Sequence, residues 1–108
     1  MNPVQIRYTP QAMDDLLAVW DGVYEASKEA SVADKYVADF VASISQKRDF
    51  PLSGIPLHYR GLFTGFYSVN FKKYKAFYRV KDGYLEVIRI FLAKTDYLQV
   101  LFPEEAGL

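Results

Sequence analysis

The sequence predicts an α+β fold: an N-terminal strand and a helical hairpin packed on a mainly antiparallel four-stranded sheet, with a short C-terminal segment. Three observations predict it. Apolar residues recur at helical spacing in two consecutive segments between residues 10 and 48. Alternating, turn-punctuated runs fill residues 66–92. Strands gathered after a helical pair place helices on one face of an antiparallel sheet. The 108 residues make a single domain, 1–108, because a chain of this size has room for one core and can close it without staples.

Val4–Tyr8 alternates, with Val4, Ile6 and Tyr8 on one face and Gln5 and Arg7 on the other, which predicts the first strand. Thr9 suits the N-cap of the following helix, with Pro10 at the first helical position, where a missing N–H costs nothing. Asp14 and Asp15 favour the positive end of the helix dipole. Met13, Leu16, Leu17, Trp20 and Tyr24 form an apolar stripe, and this helix is expected to reach about Ala26. Ser31 and Asp34 have capping-box spacing, so a second helix is expected to open there after a link of four to six residues. Tyr36, Val37, Phe40, Val41 and Ile44 form its apolar face, and Lys47 and Arg48 suit its C-terminal end. Pro51, Gly54 and Pro56 predict a loop followed by His58. Phe66–Phe71, Tyr74–Val80 and Tyr84–Leu92 read as three strands of a meander, with Asp82-Gly83 suited to a tight turn of positive φ. Leu98, Leu101 and Phe102 after Asp96 predict a short helix or turn that Pro103 ends.

Composition excludes whole classes of chemistry. The chain has no cysteine and one histidine, which removes thiol catalysis, Cys-rich zinc sites and multi-His metal centres. No apolar run of about 18 residues and no signal-peptide core occur, so the expectation is a cytoplasmic protein without a membrane span. No nucleophile elbow, P-loop or H-E-x-x-H motif is present. No cofactor and no metal are expected. Net charge is zero but unevenly spread: −4 over residues 1–46, +7 over 47–94 and −3 over 95–108. The central stretch suits a polyanion or an acidic partner. Aromatics are abundant, with nine Tyr and eight Phe. They fit a β-rich core rimmed by amphipathic rings, or stacking surfaces for bases.

The functional reading turns on the sheet face left open by the helices. Period two in Tyr74–Val80 puts Tyr74, Ala76, Tyr78 and Val80 on one face, and Lys75, Phe77 and Arg79 on the other. In the next strand Leu85, Val87, Arg89 and Phe91 share a face, so Arg89 joins the cations if the register allows. Lys72 and Lys73 cap the preceding hairpin. One reading is a solvated face whose charges serve solubility. The other is a cationic platform interleaved with Phe77, Tyr67 and Tyr97, the pattern expected for single-stranded RNA. A metal-free ribonuclease site of Lys, Arg and Tyr is physically possible, and sequence alone does not distinguish it from a binding patch.

Four stretches in order resemble the RelE/ParE superfamily, the toxins of type II toxin–antitoxin (plasmid stabilisation) modules. Ile6–Ala12 with Asp15-Leu16 is similar to the family's first strand and the start of its first helix. Phe50–Gly54 resembles the P-x-x-G loop after the hairpin. Tyr74–Val80 resembles the central Y-R-x-x-Y-x-V strand, and Val87–Asp96 the final R-I-x-H-x-R-x-D strand. The resemblance implies a growth-inhibiting toxin held by a cognate antitoxin. RelE-like members cut mRNA on the ribosome, whereas ParE-like members inhibit DNA gyrase without cutting anything. The leading expectation from the resemblance is the first, an mRNA interferase, with Lys75, Lys94 and Tyr97 as catalytic residues and Lys72, Lys73, Arg79 and Arg89 as RNA-binding residues. On the second it binds gyrase. Two departures bear on the choice. Leu92 stands where the final motif has histidine, and Lys75 stands where RNA-cleaving members often have arginine, which loses bidentate phosphate geometry.

Overall fold

The computed structural model describes residues 3–102, so Pro103 lies outside the described residues. The elements run β1 (Gln5–Tyr8), α1 (Pro10–Ser27), α2 (Ala30–Ser45), β2 (Ile55–Tyr59), β3 (Leu62–Phe71), β4 (Tyr74–Lys81), β5 (Tyr84–Leu92) and α3 (Tyr97–Leu101). Two 3₁₀ turns, Gln46–Arg48 and Pro51–Ser53, connect α2 to β2. The sheet order is β1-β5-β4-β3-β2, with β1 parallel to β5 and the remaining pairs antiparallel. The α+β class is as expected, and the sheet carries one strand more than the predicted four. Ile55–Tyr59, which Pro56 makes look like a loop, pairs with β3 as an edge strand. An edge is where a strand tolerates proline, because the missing N–H faces no ladder partner.

Local chemistry sets the helix ends. The Thr9 side chain accepts the Ala12 N–H at 3.1 Å, and its hydroxyl donates to the Ile88 carbonyl at 2.9 Å, so one residue caps α1 and ties it to β5. Lys28, in the left-handed region at φ 59, ends α1 by donating its N–H to the Tyr24 carbonyl. The link to α2 is therefore two residues, Lys28 and Glu29, shorter than expected. The capping box does not form either. Glu29 takes the N-cap position without a side-chain bond, Ser31 lies inside α2, and Asp34 instead accepts the Trp20 indole N–H at 2.8 Å.

The core lies between the hairpin and the sheet. Ala12, Leu16 and Val19 of α1 and Phe40 and Ile44 of α2 meet Val69, Tyr74, Ala76, Tyr78, Leu85, Val87 and Ile90. Each fully buried large side chain contributes roughly 1.5–3 kcal/mol. Of the stripe predicted on α1 only Leu16 is core, whereas Met13, Leu17 and Tyr24 form a second, exposed apolar ridge. Tyr78, fully buried, ties down the turn before β2. Its hydroxyl donates to the Pro51 carbonyl at 2.6 Å and accepts the Gly54 N–H at 3.0 Å.

Strand β5 departs from simple alternation. Phe77 pairs with Arg89 and Tyr78 with Val87, so Ile88 is an extra residue, a β-bulge. After it the phase reverses. Leu85, Val87 and Ile90 enter the core, while Glu86, Arg89 and Phe91 pair with Arg79, Phe77 and Lys75 of β4. Arg89 and Phe91 therefore do not share a face with Leu85 and Val87.

Candidate functional site

The second sheet face carries Lys75, Phe77 and Arg79, as the alternation predicts, but it is not bare. Segment α3 lies across it. The Tyr97 ring packs 5.0 Å from Phe77, and Phe102 stacks on Tyr59 at 5.3 Å and approaches Phe66 at 6.2 Å. Asp96 caps α3 through the Gln99 N–H. Phe77 is 1% exposed, enclosed by Tyr97 and Phe91. Tyr67 faces the helix side, stacked on Tyr78 at 5.6 Å. Neither ring is part of an open stacking surface on the cationic face.

The cations separate into two groups. Arg7, Arg79 and Arg89 are held by carboxylates. Arg7, Glu86 and Arg79 are in register across β1, β5 and β4, and Glu86 pairs with Arg7 at 3.0 Å and with Arg79 at 2.9 Å. Burial opposes the Glu86 charge, but the hydrogen bond and charge of Arg79, and then Arg7, outweigh it and hold the carboxyl below its usual range. Arg89 is bound by both oxygens of Asp15, at 2.8 and 3.2 Å, and Ile90 donates its backbone N–H to the same carboxylate at 2.8 Å. The Asp15 hydrogen bond drives the Arg89 guanidinium pKa upward against the cost of burial.

The lysines form the other group, at the end of the sheet where the β3–β4 turn meets the end of β5. Lys75 lies over the Tyr97 ring at 5.4 Å, Lys72 over Tyr36 at 4.7 Å, and Lys73 over Tyr74 at 5.9 Å. The Lys73 carbonyl accepts the Ala93 N–H at 2.7 Å, which brings the turn against Lys94. Lys73, Leu92, Ala93 and Lys94 line an open cavity of about 310 Å³.

Of the site residues expected from sequence, Lys73 and Lys94 line one cavity, Lys75 and Tyr97 touch on the second sheet face, and Lys72 lies on the helix side over Tyr36. Arg79 stands four residues along β4, occupied by Glu86, and Arg89 reaches back to α1. His58 is on β2, 5.8 Å from the Phe63 ring. Sequence reasoning missed Glu86 and Asp15. The first was within reach, since a two-residue Asp82-Gly83 turn sets Arg79 opposite Glu86. The second pairs across 74 residues, and no local signal announces it.

Among the described residues, an α+β domain with a helical hairpin on one sheet face and a basic sheet end beside an open cavity defines the class of fold. The particular family follows from comparison. The family model for the ParE toxin of the type II toxin–antitoxin system parDE matches residues 6–97, and the chain belongs to this family, within the RelE/ParE superfamily. Among solved structures it is similar to the chromosomal ParDE toxin–antitoxin system from P. aeruginosa, at 22% identity and a TM-score of 0.68, over 82% of this chain and 95% of that one. It is also similar to the toxin–antitoxin complex RelBE2 from Mycobacterium tuberculosis, at 22% identity and a TM-score of 0.61, over 85% and 93% of the two chains. YafQ from E. coli strain BL21(DE3) matches at 15% identity and a TM-score of 0.50, over 92% and 98%. At these identities the structures show a common fold. No curated protein matches the sequence. The protein is a toxin of a type II toxin–antitoxin system.

Proposed function

We propose that this toxin arrests growth by binding DNA gyrase, without cutting RNA, and that a cognate antitoxin protein neutralises it by covering its surface. One observation carries the choice: among the described residues, the basic end of the sheet has cations but no uncommitted carboxylate or imidazole beside them. Glu86 and Asp15 are committed to arginines, and His58 lies on the edge strand β2 against Phe63. Leu92 occupies the position where the superfamily's last-strand motif places histidine. Cleavage of RNA requires a base for the attacking 2′-hydroxyl and cations free to meet the developing phosphate charge. Lys75, Lys94 and Tyr97, in this reading, have no catalytic role. The match of the ParE toxin family model supports the same choice.

The test is direct. Purified toxin is added to gyrase and relaxed plasmid, and in parallel mRNA ends are mapped on ribosomes after induction. The expected result is inhibited supercoiling with intact transcripts. Transcripts cut on the ribosome, with gyrase unaffected, would overturn the proposal in favour of an mRNA interferase. The antitoxin proposal is tested by co-expressing the adjacent gene, which is expected to restore growth.

A further inference from the structure

We propose that Lys73 and Lys94, flanked by Lys72 on the helix side of the sheet end and by Lys75 on its other face, bind the phosphodiester backbone of a nucleic-acid duplex. Three observations support it. First, these lysines make no ion pair with any carboxylate among the described residues, whereas Arg7, Arg79 and Arg89 of the same sheet all do. The nearby acids are engaged elsewhere. Asp39, which shares a shallow cavity with Lys72 and Tyr36, pairs with Lys35 at 2.9 Å, and Asp96 caps α3. The lysine charge is thus left uncompensated within the described fold.

Second, the ammonium groups are placed without being neutralised. Lys72, Lys73 and Lys75 each lie over an aromatic ring. A cation–π contact restricts the long side chain, yet leaves its full charge and its N–H donors for an anion. Lys94 and Lys73 flank the cavity between the β3–β4 turn and the end of β5, where a phosphate has room to sit.

Third, the surroundings offer phosphate contacts but no platform for unstacked bases. Phe77 is enclosed, and the Tyr97 ring is packed between Phe77 and Lys75. Single-strand binders rely on open rings on which successive bases stack. A lysine corner without them recognises backbone charge, which a duplex presents at regular spacing. A toxin acting on a DNA-handling enzyme works beside such a duplex. The inference therefore adds to the gyrase reading but does not depend on it.

The experiment measures binding of the toxin to a labelled 20-base-pair DNA duplex, a duplex RNA and a single-stranded RNA of the same length, by fluorescence anisotropy across a salt series. The expected duplex affinity falls about a hundredfold between 50 and 200 mM salt, as roughly four counterions are released. Each of Lys73→Ala and Lys94→Ala is expected to lower the slope by about one, whereas Lys81→Ala, at the opposite end of β4, leaves it unchanged. Circular dichroism and thermal midpoints confirm that each variant is folded. DNA and RNA duplexes binding alike identify backbone charge as the ligand, and a preference for one names the source. No duplex binding at low salt, a slope indifferent to the lysine substitutions, or a tenfold preference for the single strand would overturn the proposal. Supercoiling assays on the same variants keep it distinct from the gyrase reading: duplex binding lost with gyrase inhibition retained supports the lysine site, and a parent that binds duplex without inhibiting gyrase overturns the gyrase reading alone.

Discussion

At the scale of single residues, two tyrosines show opposite solutions to burying a phenol. Tyr78 has both a donor and an acceptor partner in the Pro51–Gly54 turn. A Cβ added at Gly54 would lie 2.9 Å from the Tyr78 ring carbons, and the ring, fully buried, has nowhere to move. Gly54→Ala is expected to destabilise by about 1–3 kcal/mol through overpacking, read as a lower denaturant midpoint; an unchanged midpoint would show that the turn yields. Tyr8 is the contrary case. Its hydroxyl is buried without a partner, and burial pushes its pKa up to about 12 from 10.0. Tyr8→Phe is expected to stabilise by about 1 kcal/mol. A raised pKa contributes stability that is complete below pH 10 and is lost as pH rises through 12, so the variant should also resist alkali better than the parent. Equal alkaline transitions would refute this. Glu86 has the opposite sign. Its depressed carboxyl contributes stability above the usual carboxylate range that disappears as pH falls through the lowered value. The gap in midpoint between the parent and Glu86→Gln is expected at pH 7 and should close towards pH 3; a gap independent of pH would mean that shape rather than charge matters.

At the scale of elements, β5 shows how far periodicity carries. Its boundaries, and those of β4, are legible because β-branched and aromatic residues crowd between turn signals, and Asp82-Gly83 fixes the hairpin with φ of 53° and 79°. The bulge at Ile88 is not legible, because one inserted residue leaves composition unchanged while reversing every later side chain. That reversal decides the site, since it turns Arg89 away from the core and lets Asp15 of α1 capture it. Nor was β2 legible, as its proline outweighs its apolar neighbours in any local reading. Lys73 and Lys94 were readable as residues and unreadable as a pair, since no local signal announces the Lys73–Ala93 backbone bond that sets them at one cavity. Asp15 also completes the sheet. Beyond Tyr8, where β1 ends, its carboxylate accepts the edge N–H of Ile90 that a longer β1 would have accepted. Asp15→Ala is expected to cost about 1.5–3 kcal/mol, the scale for hydrogen bonds to a charged group, and to accelerate hydrogen exchange at the Ile90 amide specifically. Exchange at Ile90 no faster than in the parent would show that the carboxylate does not replace a strand there.

At the scale of the whole molecule, a flat body of 42 × 41 × 22 Å has more surface than its own helices cover. Large apolar side chains stand out on two fronts: Leu17, 63% exposed on the α1 ridge, and Phe50, Leu52 and Leu62, 73%, 62% and 73% exposed around the turn before β2 and the β2–β3 hairpin. An apolar cavity of about 480 Å³ adjoins the second front, lined by Val4, Phe50, Leu52 and Val80 among others. Exposed apolar side chains beside an apolar cavity suit an interface, and in a toxin paired with an antitoxin the natural consequence is coupling between neutralisation and stability. A partner that binds only the folded toxin adds RT ln(1 + [L]/Kd), about 4 kcal/mol at a thousandfold excess over Kd, which for a domain of this size is a rise of roughly 15 °C or more in Tm. The free toxin is expected to bind a hydrophobic dye strongly, and the complex to lose most of that fluorescence as Tm rises. The two readouts separate two modes of neutralisation. An antitoxin that raises Tm and restores growth while leaving dye fluorescence intact would seat on the charged end of the sheet instead, and the apolar fronts would then have another role.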